Sequence, residues 1–270
     1  MMNSMAEEFD FRLLRLCCVW AAREAVVFGR GGAANDLRGA LGLVLDPAWF
    51  RPSRDSGPSG LRDLPRPFVL RTPGDPQSLA PGGHWRFEVH LFDPEARSML
   101  EQALRTVASS GMGRGRGKFV VESHEWSEVV VDLQPGEPAR KVRVRFLTPT
   151  ELKGFTAAEG PLPFSVLLAR ARDRISSLRA AYGGGPPALD FQGLGLRARQ
   201  VQTTACSLQW QGGERRSTRT GQRHPLGGFT GMAEFEGDLG EFLPLLEAAT
   251  WTGVGRQTTW GHGAISVERL

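Results

Sequence analysis

Gly253-Val-Gly-Arg-Gln-Thr-Thr-Trp-Gly-His-Gly263 separates an apolar helical stretch from a last short strand, and it has a counterpart in Gly111-Met-Gly-Arg-Gly-Arg-Gly-Lys118. Around the later segment, Phe229 to Glu236 reads as a strand, Asp238 as the cap of a helix from Leu239 to Ala249, and Ala264 to Glu268 as a strand. Around the earlier one, His84 to Phe92 reads as a strand. Asp93-Pro94 starts a helix from Glu95 to Ser109, and Phe119 to His124 is the next strand. Both segments thus occupy the same place in the order strand, helix, glycine-rich turn, strand. The offset is the same at two points, 229 − 87 = 142 and 253 − 111 = 142. A constant offset is the mark of a duplicated unit.

Working outward, each copy gains a first half. Phe9 to Trp20 reads as a strand and Ala33 to Leu45 as a helix closed by Pro47. Residues 51 to 65, rich in proline, glycine and serine, read as a surface loop before a strand from Pro67 to Thr72. In the second copy Arg140 to Leu147 alternates Val142, Val144 and Phe146 with arginines, which predicts a strand with one buried face. A helix from Pro163 to Tyr182 ends at Gly183-Gly-Gly-Pro-Pro187. A strand from Arg199 to Trp210 and a polar loop from Gln211 to Pro225 follow. The hydrophilic run Glu125 to Pro138 reads as a hairpin or linker. The expected fold is α+β, with two tandem ferredoxin-like (RRM-like) domains of β-α-β-β-α-β topology, residues 1–138 and 139–270.

Composition narrows the function class. The formal charge is +4 (33 − 29), the pI is near 9.4, and arginine supplies nearly all the positive charge, lysine occurring only at 118, 141 and 153. Arginine forks suit phosphate and stack on bases, and a GC-rich genome is an equally available source of the same bias. Cys17, Cys18 and Cys206 have no metal-ligand spacing and make no disulfide framework, which points to a reduced, cytoplasmic setting. Arg12, Arg15, Arg23 and Glu24 interrupt the apolar N-terminal stretch, so neither a signal peptide nor a membrane span is expected.

Glycine-rich turns let backbone amides approach phosphate or a sugar edge, and equally serve tight turns and close packing. Arg114, Arg116, Lys118 and Arg256 put charge beside them. The loop Glu214 to His224 carries Arg215, Arg216, Arg219 and Arg223 between two strands and is either a nucleic-acid contact or a solvated hairpin tip. Arg170 and Arg174 read as a solvated helix face. RNA cleavage by the neighbouring 2′-hydroxyl needs a base, an acid and cations rather than a cofactor. Of the five histidines, His84, His90 and His124 read as structural. His224 and His262, in the arginine loop and the glycine-rich turn, are the functional candidates. No metal-binding motif and no cofactor motif is present, so none is expected.

Pro225 to Gly231, Leu243-Pro-Leu-Leu246 and Trp251 to Gly263 resemble the C-terminal region of the Cas-six family of CRISPR-associated endoribonucleases, within the RAMP superfamily. Leu37 to Gly42, Arg66 to Leu70, Gly111 to Arg114, Phe146 to Pro149 and Leu152-Lys153 match in family order. The resemblance implies binding of CRISPR repeat RNA and metal-independent cleavage that leaves a 2′,3′-cyclic phosphate and a 5′-hydroxyl. It also implies an association with other CRISPR effector subunits. The family's first-helix histidine has no equivalent between Asn35 and Leu45. The candidates that remain are Arg38 as charge stabiliser, His224 as acid or base and Asn35 as a positioning residue. The RNA-binding set is Arg114, Arg116, Lys118, Arg215, Arg216, Arg219, Arg223, Gly253, Gly255, Arg256, Gly261, His262 and Gly263. A non-catalytic RNA-binding subunit of an effector complex is the alternative.

Overall fold

The computed structural model describes residues 9–29, 31–49, 65–212, 214–216, 223–225 and 227–270. The loop expected over residues 51–65 lies, except for its last residue, outside them. The first half consists of β1 (Asp10–Ala22), β2 (Val26–Val27), α1 (Gly32–Val44), β3 (Phe68–Arg71), β4 (Ser78–Leu79), β5 (His84–Leu91), α2 (Arg97–Ser110) and β6 (Phe119–Asp132). The second holds β7 (Lys141–Thr150), α3 (Phe164–Tyr182), α4 (Phe191–Ala198), β8 (Gln202–Gln211), β9 (Glu214–Arg216), β10 (Arg223–Pro225), β11 (Gly228–Glu236), α5 (Leu243–Thr252) and β12 (Ile265–Arg269). Four strands of each half make one antiparallel sheet, in the orders β3-β5-β1-β6 and β12-β7-β11-β8. Numbered within its own half, each sheet runs 4-1-3-2 in strand order, so the chain is two tandem ferredoxin-like domains. Residues 133–140 connect the two sheets.

Strand parity explains how the halves pack. Even positions of β1 (Leu16, Cys18, Trp20) and odd positions of β5 (Trp85, Phe87, Val89, Leu91) are buried against α1 and α2. Leu37 and Leu41 supply the apolar stripe of α1, and Leu100, Leu104 and Val107 that of α2. Positions of the opposite parity near one end of the sheet, Phe11, Leu13, Val69, Phe92 and Val131, belong instead to the core of the second half. One sheet face therefore covers its own helices while part of the other covers the neighbouring domain.

Four expectations need correction. Residues 125–132 are strand rather than linker: β6 pairs with β1 from Phe119 to Asp132 around a bulge at Val19/Trp20, because a 13-residue strand offers that much ladder. The strand expected from Arg199 begins at Gln202, after helix α4, whose N-cap Asp190 accepts from the Gly193 amide. Gly193 and Gly195 hide that helix from propensity. Asp238 does not cap α5, which starts at Leu243 after Phe242. Within the polar loop 211–225, β9 and β10 pair as a ribbon.

Polar groups also cross between the domains. His90, 3% exposed, places Nδ1 2.9 Å from the Trp251 carbonyl and Nε2 3.1 Å from Glu88 Oε2. Arg71 donates to the Trp251 carbonyl at 3.4 Å, and within the second half Arg174 donates to that of Thr252 at 2.8 Å. Arg174 is thus half-buried against the end of α5 and not on a solvated face, and desolvation pushes its pKa down to about 9. Cations at the last carbonyls of a helix match its dipole. The hydrogen bond from His90 and the Arg15 fork hold Glu88 at about 2, below its ordinary value of 4.5. A carboxylate depressed on folding contributes stability above its unfolded pKa and loses it as the pH falls toward the folded one. Melting temperatures from pH 7 to 2 are therefore expected to show wild type ahead of Glu88→Gln by roughly 1–2 kcal/mol near neutrality after solvent screening, the gap closing between about 4.5 and 2. A gap independent of pH would refute this role.

Candidate functional site

The two glycine-rich turns begin in the same way. Gly111 and Gly253 end α2 and α5 with φ of 80° and 71°, and Gly113 and Gly255 share a φ of 75°. The Arg114 amide donates to the Val27 carbonyl at 2.7 Å, and the Arg256 amide to the Glu151 carbonyl at 3.1 Å. Met112 and Val254 donate across their loops to the carbonyls of Gly117 and Gly263 at 3.0 and 2.9 Å. The glycines are needed because other backbone stands where a side chain would start: a Cβ at Gly255 would lie 2.2 Å from the Glu151 oxygen. In the second loop the amides of Val254, Arg256, Trp260, Gly261, His262 and Gly263 are all donated within the chain. These six amides are therefore already engaged inside the protein.

The second loop is longer and crosses to the first domain. Its 3-10 turn, Thr258–Trp260, places the Trp260 ring 4.5 Å from the Arg38 guanidinium carbon, a cation–π stack. Gly261 lies against Ala34, whose Cβ would be 2.8 Å from any Cβ at 261. Asn35 is on the same turn of α1 as Ala34, and its Oδ1 is buried with no hydrogen-bond partner among the described residues. The structure therefore brings Asn35 and Arg38 to the loop of Gly261, His262 and Gly263, although they are more than 200 positions apart. Burial pushes the His262 pKa below its ordinary value and keeps the imidazole neutral at pH 7. The N-terminus of α1 is closed to phosphate, since Asp75 Oδ1 already accepts from the Ala33 amide at 2.9 Å.

Arg114, Arg116 and Lys118 are exposed on the first loop and form no ion pair with the described residues. His224 pairs with Arg215, and Arg223 with Arg216, along the two-stranded β9–β10 ribbon; Arg219 lies outside the described residues. The histidines read as structural hold their places: His124 accepts from Trp20 Nε1 at 2.9 Å and His84 meets Glu122 at 3.0 Å.

A cavity of about 460 Å³, missed at the sequence level, opens where the second loop, the segment after β7 and the ribbon's base converge. Lys153, Phe155, Thr156, Trp210, Phe229 and Arg256 line it. Lys153, Phe229 and Arg256 lay in motifs already singled out; a tryptophan at the end of the strand expected from Arg199 to Trp210 was the signal available for Trp210. Among the described residues no cluster of His, Cys, Asp or Glu suits a metal ion, and no helix is long and apolar enough to cross a membrane.

With this geometry in place, comparison with known proteins is decisive at the C-terminal half, where residues 144–265 match the family model of the CRISPR-associated endoribonuclease Cas6. The C-terminal half of the chain belongs to the Cas6 family. A second model, described as an N-terminal domain, matches residues 13–138. Among solved structures, a Cas6 product complex superposes with a TM-score of 0.60 at 17% identity, over 95% of this chain and 99% of that one. Cas6 from Thermus thermophilus gives 0.55 at 16%, over 96% and 99%. A partial Cas6-RT-Cas1–Cas2 complex gives 0.63 at 14%, over 96% of this chain and 46% of that one. At these identities the solved structures speak for the fold, and the Cas6 assignment rests on the family model. No curated protein sequence matches the chain.

Proposed function

We propose that the protein is an endoribonuclease that cuts precursor CRISPR repeat RNA, the activity the family description carries. The observation that supports it is the meeting of α1 with the second glycine-rich loop: Arg38 stacked on Trp260, with the unpartnered Asn35 Oδ1 and the neutral His262 beside that contact. The 2′-oxygen next to the scissile bond attacks phosphorus in line, forming the cyclic phosphate as the bond to the 5′-oxygen breaks. A base takes the 2′-hydroxyl proton and an acid protonates the departing 5′-oxygen. His262, kept neutral, is suited to accept the first proton, and His224 on the ribbon is the partner imidazole that gives the second. Arg38 holds the phosphorane charge, and Asn35 positions the attacking sugar. The first loop's Arg114, Arg116 and Lys118 and the ribbon's Arg215, Arg216 and Arg223 would grip the flanking phosphates. Effector or adaptation subunits are the expected protein partners, in keeping with the Cas6-RT-Cas1–Cas2 architecture of one solved relative.

Incubation with the repeat RNA encoded beside the gene tests this directly. Cleavage is expected to proceed in chelator and to stop when the nucleotide 5′ to the cut carries a 2′-deoxy sugar, with binding unchanged. Cleavage of the deoxy substrate, or its loss in chelator, would rule out the mechanism. Helix α1 has no histidine, which favours a second reading, a non-catalytic RNA-binding subunit. Tight repeat binding with no product would establish that reading instead.

A further inference from the structure

We propose that the cavity beside Trp210 is a stacking site for one unpaired nucleobase of the bound RNA, an assignment that rests on the RNA-binding function above. Trp210 is 58% exposed, an unusual state for the largest apolar side chain. It stands on the sheet's edge strand, paired in register with the buried Phe229. Its ring is also held down. Gly227 lies beneath it, and a Cβ there would come within 2.6 Å of the indole Cζ2, so the absence of a side chain at 227 is what lets the ring rest on the backbone. The ring is thus an ordered platform bordering an open cavity.

Shape and charge of the cavity select the ligand. Its floor is aromatic, Phe155 meeting Phe229 edge to face at 5.4 Å between centroids. Its rim holds two cations, Lys153 and Arg256, against one carboxylate, Glu151, and is net positive. Lys153 is exposed, with no ion pair among the described residues, and Arg256 donates to Glu151 at 2.7 Å while remaining open to solvent. The arginine ribbon starts four positions beyond Trp210. A flat apolar platform rimmed by cations matches a nucleobase joined to its phosphate, and about 460 Å³ accommodates one nucleotide. The base must be unpaired, because a base inside a duplex keeps its faces stacked on its neighbours and offers only its edges. The glycine-rich loop that closes this cavity with Arg256 also carries Trp260 to Arg38. A base held here would therefore anchor the strand a short distance from the proposed cut.

The experiment measures affinity for repeat RNA by fluorescence anisotropy with wild type, Trp210→Leu and Trp210→Phe, using intact RNA and a series with one abasic nucleotide at each unpaired position. Trp210→Leu is expected to weaken binding about tenfold and Trp210→Phe less than threefold, since either ring supplies a π face. One abasic position should weaken wild type by a similar factor and leave Trp210→Leu unaffected, the non-additivity of two groups in contact. The side chain is exposed, so melting temperatures should be unchanged. Equal affinity of Trp210→Leu and wild type, or abasic effects that multiply with the substitution at every position, would overturn the assignment. Failure of wild type itself to bind the repeat would overturn the RNA-binding function instead, a result told apart by the first titration.

Discussion

Arg38→Ala is expected to lower the single-turnover cleavage rate of repeat RNA about a hundredfold while changing affinity only a few-fold. A preorganised cation at the developing charge of a transition state is worth roughly two to three orders of magnitude. A peripheral phosphate contact changes binding and salt dependence instead. The stack on Trp260, at 4.5 Å, fixes the plane of the guanidinium before substrate arrives. Trp260→Ala should therefore reproduce part of the loss by leaving the charge in place but unaimed. Arg38→Lys keeps a charge and loses the fork and the planar stack, and is expected to recover little of the rate. Quench-flow measurement at saturating enzyme separates chemistry from binding. A wild-type rate in Arg38→Ala would remove this residue from the mechanism.

Gly255→Ala is expected to destabilise the protein by about 3 kcal/mol, from left-handed strain together with a backbone collision. The new methyl would stand 2.2 Å from the Glu151 carbonyl oxygen at a φ of 75°. That carbonyl also accepts the Arg256 amide, so retreat would break the hydrogen bond holding the loop to the end of β7. The first copy supplies controls. At Gly113 the collision is milder, 2.7 Å from the Val27 oxygen, and at Gly115, with φ of 80°, nothing stands within 4 Å. Denaturant melts are expected to rank the alanine variants Gly255, Gly113 and Gly115 in falling order of cost, the last near 1 kcal/mol. Equal costs at 255 and 115 would show that φ alone matters and that the close approach to Glu151 does not.

Most of the fold was legible because its signals are local. Alternating Val142, Val144 and Phe146, the stripe of α2 and the 142-residue offset between glycine turns each come from residues a few positions apart, or from a repeat of such a pattern. The errors were local as well. Helix α4 was hidden by Gly193 and Gly195, and the far half of β6 by glutamates and serines on its open face.

The site was legible only as a parts list. By itself the sequence determined that the chain folds as two related halves, that each half carries a glycine turn of one design, and that cations gather at those turns and in one ribbon. Periodicity, left-handed glycines and charge clustering are properties of short segments, so they survive in one dimension. Tertiary structure alone decided that the second turn's added residues reach across to stack Trp260 on Arg38. It also decided that Arg174 packs against the end of α5 while Trp210 stays in the open beside an aromatic cavity. Those contacts join residues far apart along the chain or expose one face of a sheet edge. Their energies depend on distances through space that no pattern along the chain encodes.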